Sequence, residues 1–228
     1  MKTVLLFSFV AALAVSAADK SANTLTAAEK AEGWRLLFDG KSTDGWHSFK
    51  KKTFPDKGWV VEDGILKKVP KVNGGDIITT DEFDNFDFQW DWQIPEKANN
   101  GIKYFITEER AQAIGHEYQM IDESTVKVKK DSTASFYDVL PPIDDKPVKP
   151  PGEWNHSRVL VQGNHVEHWL NGKKVLAYEL GSEEVMAAVQ KSKFKNVKDF
   201  GTHIKGHILL TDHQDEAWFR NLKIRELK

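Results

Sequence analysis

The sequence predicts an all-β sandwich or jelly roll, and three observations predict it. Short runs rich in Val, Ile, Phe and Trp recur at near-regular spacing from Gly33 onward. Turn dipeptides punctuate them: Asp39-Gly40, Asp44-Gly45, Asp63-Gly64, Asn73-Gly74, Asn100-Gly101 and Asn171-Gly172. Within several runs apolar and polar residues alternate with the period of two that a strand imposes. Many short strands with turn signals between them describe stacked antiparallel sheets rather than βαβ units.

In chain order, residues 1–17 read as a secretory signal peptide. Lys2 gives a positive start, Val4 to Val15 form the apolar run, and Val15-Ser16-Ala17 is a small-residue cleavage site. That run is shorter than the roughly 20 apolar residues a bilayer-spanning helix needs. No cysteine follows to take a lipid, so the expected location is secreted or periplasmic. Residues 18–32 form a linker with a short helix, because Thr26-Ala27-Ala28-Glu29 has capping-box spacing. Residues 33–228 are then expected to form one domain.

The predicted strands are Trp34–Phe38, Trp59–Val61, Ile65–Val69, Phe86–Ile94, Ile102–Ile106 and Glu117–Ile121. Ser157–Gln162, His165–Leu170, Lys174–Tyr178, His207–Leu210 and Ala217–Ile224 complete the set. Pro141–Gly152, with five prolines, is a loop. A second helix opens at Ser182, a good N-cap, followed by Glu183 and Glu184 in the first turn and Val185, Ala188 and Val189 at helical period.

Composition removes several functions. The chain has no cysteine, which excludes disulfides, thiolate metal ligands and a cysteine nucleophile. With 32 basic and 34 acidic residues the formal charge is −2, or −3 once Lys2 leaves with the signal. A balanced surface lacks the concentrated Lys/Arg of a nucleic-acid partner or an anionic membrane surface. No HExxH, phosphate loop or GxSxG elbow is present. The eight Trp suit either a sandwich core or stacking against sugar rings.

Strand parity locates the polar chemistry. In Phe88–Ile94 the aromatics share one face and Gln89, Asp91 and Gln93 the other. In Glu117–Ile121 the acid and Gln119 point together, opposite Tyr118 and Met120. Thr211 is placed beside His213, and Lys103 beside Phe105. Such polar faces are either solvated or a groove that hydrogen-bonds hydroxyl groups, and their Gln, Asp, Glu, His and Trp content fits the groove. Burial of Glu117 in an otherwise apolar segment would raise its pKa and make it a usable base or acid. Alternatively it is paired with Lys103 or Arg220. His165 and His168, three apart on a strand, face opposite ways and make a poor metal pair.

The runs GWRLLFDGKSTDGW (33–46), NNGIKYF (99–105), HEYQMID (116–122), PPGEWN (150–155), GNHVEHWLNGKKV (163–175) and GHILLTDHQDEAWFRNLKIREL (206–227) resemble the 3-keto-disaccharide hydrolase family, in order and over most of the chain. The chain departs from the family pattern at Asp122–Val126, Thr211 and Gln214. The resemblance implies a concanavalin A-like lectin/glucanase jelly-roll sandwich with one or two short helices. It also implies glycosides whose sugar is oxidised to a ketone at carbon 3, cleaved by base-initiated elimination or hydrolysis, with an upstream sugar oxidoreductase making the ketone. Together with strand parity it implies Glu117 as base or metal ligand, His213 as acid or metal ligand, and Lys103 at the oxyanion. A divalent metal ion could assist. Asp91, Gln119, His168, Asn100, Thr211 and Arg220 would position the sugar. The alternative is a carbohydrate-binding, lectin-like protein without turnover.

Overall fold

The computed structural model describes residues 22–228, so the predicted signal peptide lies outside the described residues. Strands are numbered in chain order: β1 Arg35–Leu36, β2 Trp46–Ser48, β3 Trp59–Glu62, β4 Ile65–Lys68, β5 Ile77–Thr79, β6 Phe86–Gln93, β7 Asn99–Ile106, β8 His116–Ile121, β9 Asn155–Gln162, β10 His165–Leu170, β11 Lys173–Glu179, β12 His207–Leu210 and β13 Ala217–Glu226. They form two antiparallel sheets. The larger runs β11-β10-β9-β6-β13-β4-β3 with β1 added beside β13, and the smaller runs β2-β5-β12-β7-β8. The all-β sandwich expected from the sequence is the fold observed. β2 and β5 escaped the sequence reading because three residues are too few to show alternation.

Both helices form where their caps predicted. In α1 (Ala27–Ala31) the Thr26 hydroxyl accepts the Glu29 N–H, and the Glu29 carboxylate accepts the Thr26 N–H at 2.7 Å. In α2 (Glu183–Gln190) the Ser182 side chain accepts from Val185, and Val185 and Val189 are the buried positions.

The core fills the space between the sheets. Phe88, Trp90 and Trp92 of β6 face Tyr118 and Met120 of β8, and the Trp90 and Tyr118 rings meet edge-on at 4.9 Å. Truncating one of these aromatics to Ala would cost about 3–5 kcal/mol. Their polar tips find partners inside: the Trp92 indole N–H donates to Ser157 Oγ at 2.8 Å, and the Tyr118 hydroxyl lies 2.8 Å from the same oxygen.

One departure from strand parity shapes β7. Phe105 has φ +60°, and the pairing of β7 with β12 slips by one residue between His207 and Leu209. This bulge turns Phe105 into the core beside Tyr104. Phe105 therefore does not share the face of Lys103, as simple alternation had placed it.

Two histidines are enclosed in this core. Burial pushes His116 down to about 3, aided by the charges of Arg110, His168 and His203. Burial likewise pushes His168 down to about 4, against a hydrogen bond to Ala134. Both folded values lie below the ordinary value of about 6.5, so the unfolded chain takes up protons first as pH falls. The stability these residues contribute is complete above about pH 6.5 and is lost towards about pH 4. In an NMR titration the His116 and His168 ring signals are expected to stay fixed from neutral pH to about pH 5. Half-buried His165, raised by its hydrogen bond to Glu179, should titrate above its usual value. A midpoint near 6.5 for either buried ring would contradict the enclosure.

Candidate active site

Antiparallel pairing of β7 with β8 sets Lys103 opposite Glu117, Gly101 opposite Gln119 and Asn99 opposite Ile121. With Tyr118 and Met120 committed to the core, Glu117 and Gln119 point to the other face of the five-stranded sheet. There they line a cavity of about 350 Å³ with Asn99, Lys103 and His213, a volume suited to a small ligand. The opposite wall comes from Ile114, Tyr137 and the segment 193–197 after α2.

Glu117 is 5% exposed, and its Oε1 has no hydrogen-bond partner. The imidazole Nε2 of His213 stands 3.9 Å from that oxygen, with 41% of its side chain exposed. Asn99 Oδ1 and Gln119 Oε1 are also buried without partners. Three residues lining one cavity thus each carry a buried acceptor oxygen without a partner. Such groups carry a desolvation cost of about 1–3 kcal/mol each, which hydroxyl donors of a ligand would relieve. A divalent cation would find Glu117, His213 and the two carboxamide oxygens here. Among the described residues no three His, Cys, Asp or Glu side chains converge on a metal site.

His213 is positioned by a buried ion pair. Lys68, at the end of β4, points inward and meets Asp212 Oδ1 at 2.9 Å, the two side chains being 0% and 2% exposed. Its ammonium also donates to the carbonyls of Val69 and Val72 at 2.7 Å. Asp212 accepts the N–H groups of Gly74, Gly75 and Gln214. Burial alone would raise Asp212, but Lys68 and these N–H groups hold it below its ordinary value. Asp76 accepts the Asp212 N–H at 2.7 Å. Burial raises the Asp76 carboxyl, partly offset by the charges of Lys103 and His213. The sequence reading missed Asp76 because it lies in an aperiodic loop.

Several sequence-placed sugar contacts are corrected by this geometry. Asp91 lies on the outer face of the other sheet, bonded to His156 at 2.7 Å and Asn221 at 2.6 Å. Arg220 accompanies it at 3.4 Å and packs 4.1 Å from the Trp154 ring centroid. Neither reaches Glu117, so Glu117 and Asp91 cannot act as a glycosidase carboxylate pair, nor is Glu117 paired with Arg220. His168 is fully buried in the core, 3.0 Å from the Tyr104 hydroxyl and 2.9 Å from the Ala134 carbonyl. Asn100 and Thr211 are buried under the cavity floor and do not face it. Thr211 Oγ1 and Asn100 Oδ1 both accept the Gly101 N–H, at 3.0 and 2.8 Å. Asn99, not Asn100, has the parity of Lys103, a signal the sequence carried.

Gly101 makes room for the carboxylate. A Cβ there would lie 2.2 Å from Glu117 Oε1. Gly101→Ala should therefore displace the carboxylate and lower kcat/KM by about 100-fold or more. Because Cδ and Cγ of Glu117 would also lie 2.9 and 3.0 Å from that Cβ, the whole side chain must move, and stability should fall by about 1–3 kcal/mol. Steady-state kinetics beside thermal melts would check this, and unaltered activity would count against the packing described.

Comparison with known proteins gives the family. A family described as the 3-keto-alpha-glucoside-1,2-lyase-like domain matches residues 33–225. A 3-keto-disaccharide hydrolase of Bacteroides thetaiotaomicron is 31% identical, covering 86% of this chain and 79% of that protein. A Parabacteroides distasonis crystal structure described as a glycosyl hydrolase superposes with a TM-score of 0.82 at 36% identity, covering 91% of this chain and all of that one. Another from the same organism, with the same description, gives 0.66 at 27% identity, covering 85% and 99%. A Crh5 transglycosylase shares the fold alone, at 0.53 and 11% identity over 86% of this chain and 85% of that one. The chain belongs to the 3-keto-disaccharide hydrolase family and is a glycoside-cleaving enzyme.

Proposed function

We propose that this enzyme cleaves glycosides whose sugar ring carries a ketone at carbon 3, by an elimination that Glu117 begins. The observation that carries this reading is the enclosed, unpartnered Glu117 carboxylate, with His213 at 3.9 Å and Lys103 across the strand pair. A carbon-3 ketone acidifies the proton on carbon 2. A carboxylate can take that proton if the enolate oxygen is held by positive charge.

In this reading Glu117 removes the carbon-2 proton and Lys103 holds the enolate oxygen. The enolate electrons then form the double bond between carbons 1 and 2 as the bond from carbon 1 to the glycosidic oxygen breaks. Protonated His213 gives its proton to that departing oxygen. Addition of water across the new double bond completes hydrolysis, and release before addition gives the lyase outcome. Gln119 and Asn99 would accept hydrogen bonds from the sugar hydroxyls. A divalent cation, if bound, would supply further positive charge at the enolate. The N-terminal leader would carry the enzyme out of the cytoplasm, where a sugar oxidoreductase would have to supply its ketone.

Glu117→Gln keeps the shape and removes the base. With 3-keto-trehalose or a 3-keto-β-glucoside, turnover should fall by about 10²–10⁴-fold while the thermal midpoint is held. Unoxidised trehalose should remain uncut by either form. Retained activity in the variant would remove Glu117 from the mechanism.

A further inference from the structure

Two separate pieces of chain wall the cavity beyond the sheet that carries Glu117. Residues 107–115 join β7 to β8 and supply Gln112 and Ile114, while the segment after α2 supplies Lys193, Phe194 and Val197. Each piece has its own anchor elsewhere. The first is held where Glu108 accepts the Lys50 N–H at 2.7 Å. The second is held where Asp138 accepts the Lys193 N–H at 2.7 Å, and where the Gly201 N–H donates to the His116 ring at 2.9 Å.

One side chain joins the two pieces. Arg110 donates through Nη1 to the Ile114 carbonyl at 2.7 Å and through Nη2 to the Lys198 carbonyl at 2.9 Å. The first bond closes the 107–115 connection on itself, and the second crosses to the other wall. Among the described residues no other hydrogen bond links 107–115 to 193–198. The guanidinium presents its donors in a rigid planar fork, so the two carbonyls are held in one fixed relation. The charge of Asp199 favours the cation there. Arg110 does not itself line the cavity.

We infer that Arg110 is a positioning residue for the glycoside, clamping both walls of the cavity so that they meet the sugar already in place. A wall ordered before binding costs the complex less than one ordered by it, so the clamp acts on affinity. Glu117 and His213 are held by other contacts and keep their places without it. The inference rests on the proposed seat of the sugar in this cavity, not on the order in which bonds break.

Arg110→Ala and Arg110→Lys should each raise KM for 3-keto-trehalose by roughly tenfold or more, with kcat changed by less than about threefold. Lysine should not substitute, because a single ammonium lacks the fork. Added ethylguanidinium should bring the KM of Arg110→Ala back towards that of the unmodified enzyme, which a general loss of folding would not allow. Should Arg110→Ala fail to fold, Arg110→Lys carries the comparison. An unchanged KM, or a loss confined to kcat, would overturn the inference and leave the elimination reading standing. Absence of turnover by the unmodified enzyme would instead sink the elimination reading. Calorimetric binding of 3-keto-trehalose to Glu117→Gln, with and without Arg110→Ala, would then decide the clamp by itself. Equal affinities, or no binding to either form, would overturn it.

Discussion

The buried ion pair between Lys68 and Asp212 is the constraint on which the candidate site depends. An ammonium and a carboxylate taken out of water each carry a penalty of several kcal/mol, recovered only through close contact and full hydrogen bonding. Both conditions hold, because Lys68 also reaches two carbonyls and Asp212 also accepts three backbone N–H groups. The pair joins the end of β4 in one sheet to the residues after β12 in the other. It therefore fixes the loop carrying Asp76 and the turn carrying His213 against the sheet that carries Glu117. Removing one partner would leave an uncompensated buried charge, at a cost of about 3–5 kcal/mol.

The two sides of the smaller sheet differ in their polar groups. Towards the core, the polar atoms of Trp92, Tyr118, Tyr104 and His168 find partners, while His116 Nδ1 does not. Towards the cavity, oxygens of Asn99, Glu117 and Gln119 are buried without them. A fold tolerates such a concentration of unsatisfied acceptors where a ligand completes them, since an empty polar hollow otherwise only subtracts stability. The absence of a side chain on Gly101 and the knot of Asn100 and Thr211 beneath it serve the same end. They shape the strand so that the Glu117 carboxylate fits above it.

Much of this was legible in the sequence because strand parity is a strong local rule. It put Tyr118 and Met120 inward, Glu117 and Gln119 together on the other face, and the aromatics of β6 in the core. The capping residues at Thr26 and Ser182 gave both helices. What parity cannot convey is which sheet a strand joins. Asp91 and Arg220 have the right chemistry and the right alternation, yet they sit on the outer face of the larger sheet. His168 is polar by type but buried by pairing. The slip at Phe105 needed a positive φ that no neighbouring turn residue announces. Asp76 and the wall residues Tyr137 and Phe194 lie on segments without a period, brought to the cavity by long-range packing alone.

In the proposed mechanism, proton removal from carbon 2 by Glu117 starts the cleavage. It is tested most directly with a 3-keto-glucoside carrying deuterium at carbon 2, followed by kinetics and by mass spectrometry of the products. The deuterated substrate should turn over more slowly, and the released sugar should have lost the label to solvent. Equal rates for the two substrates, with the deuterium retained at carbon 2, would contradict the mechanism.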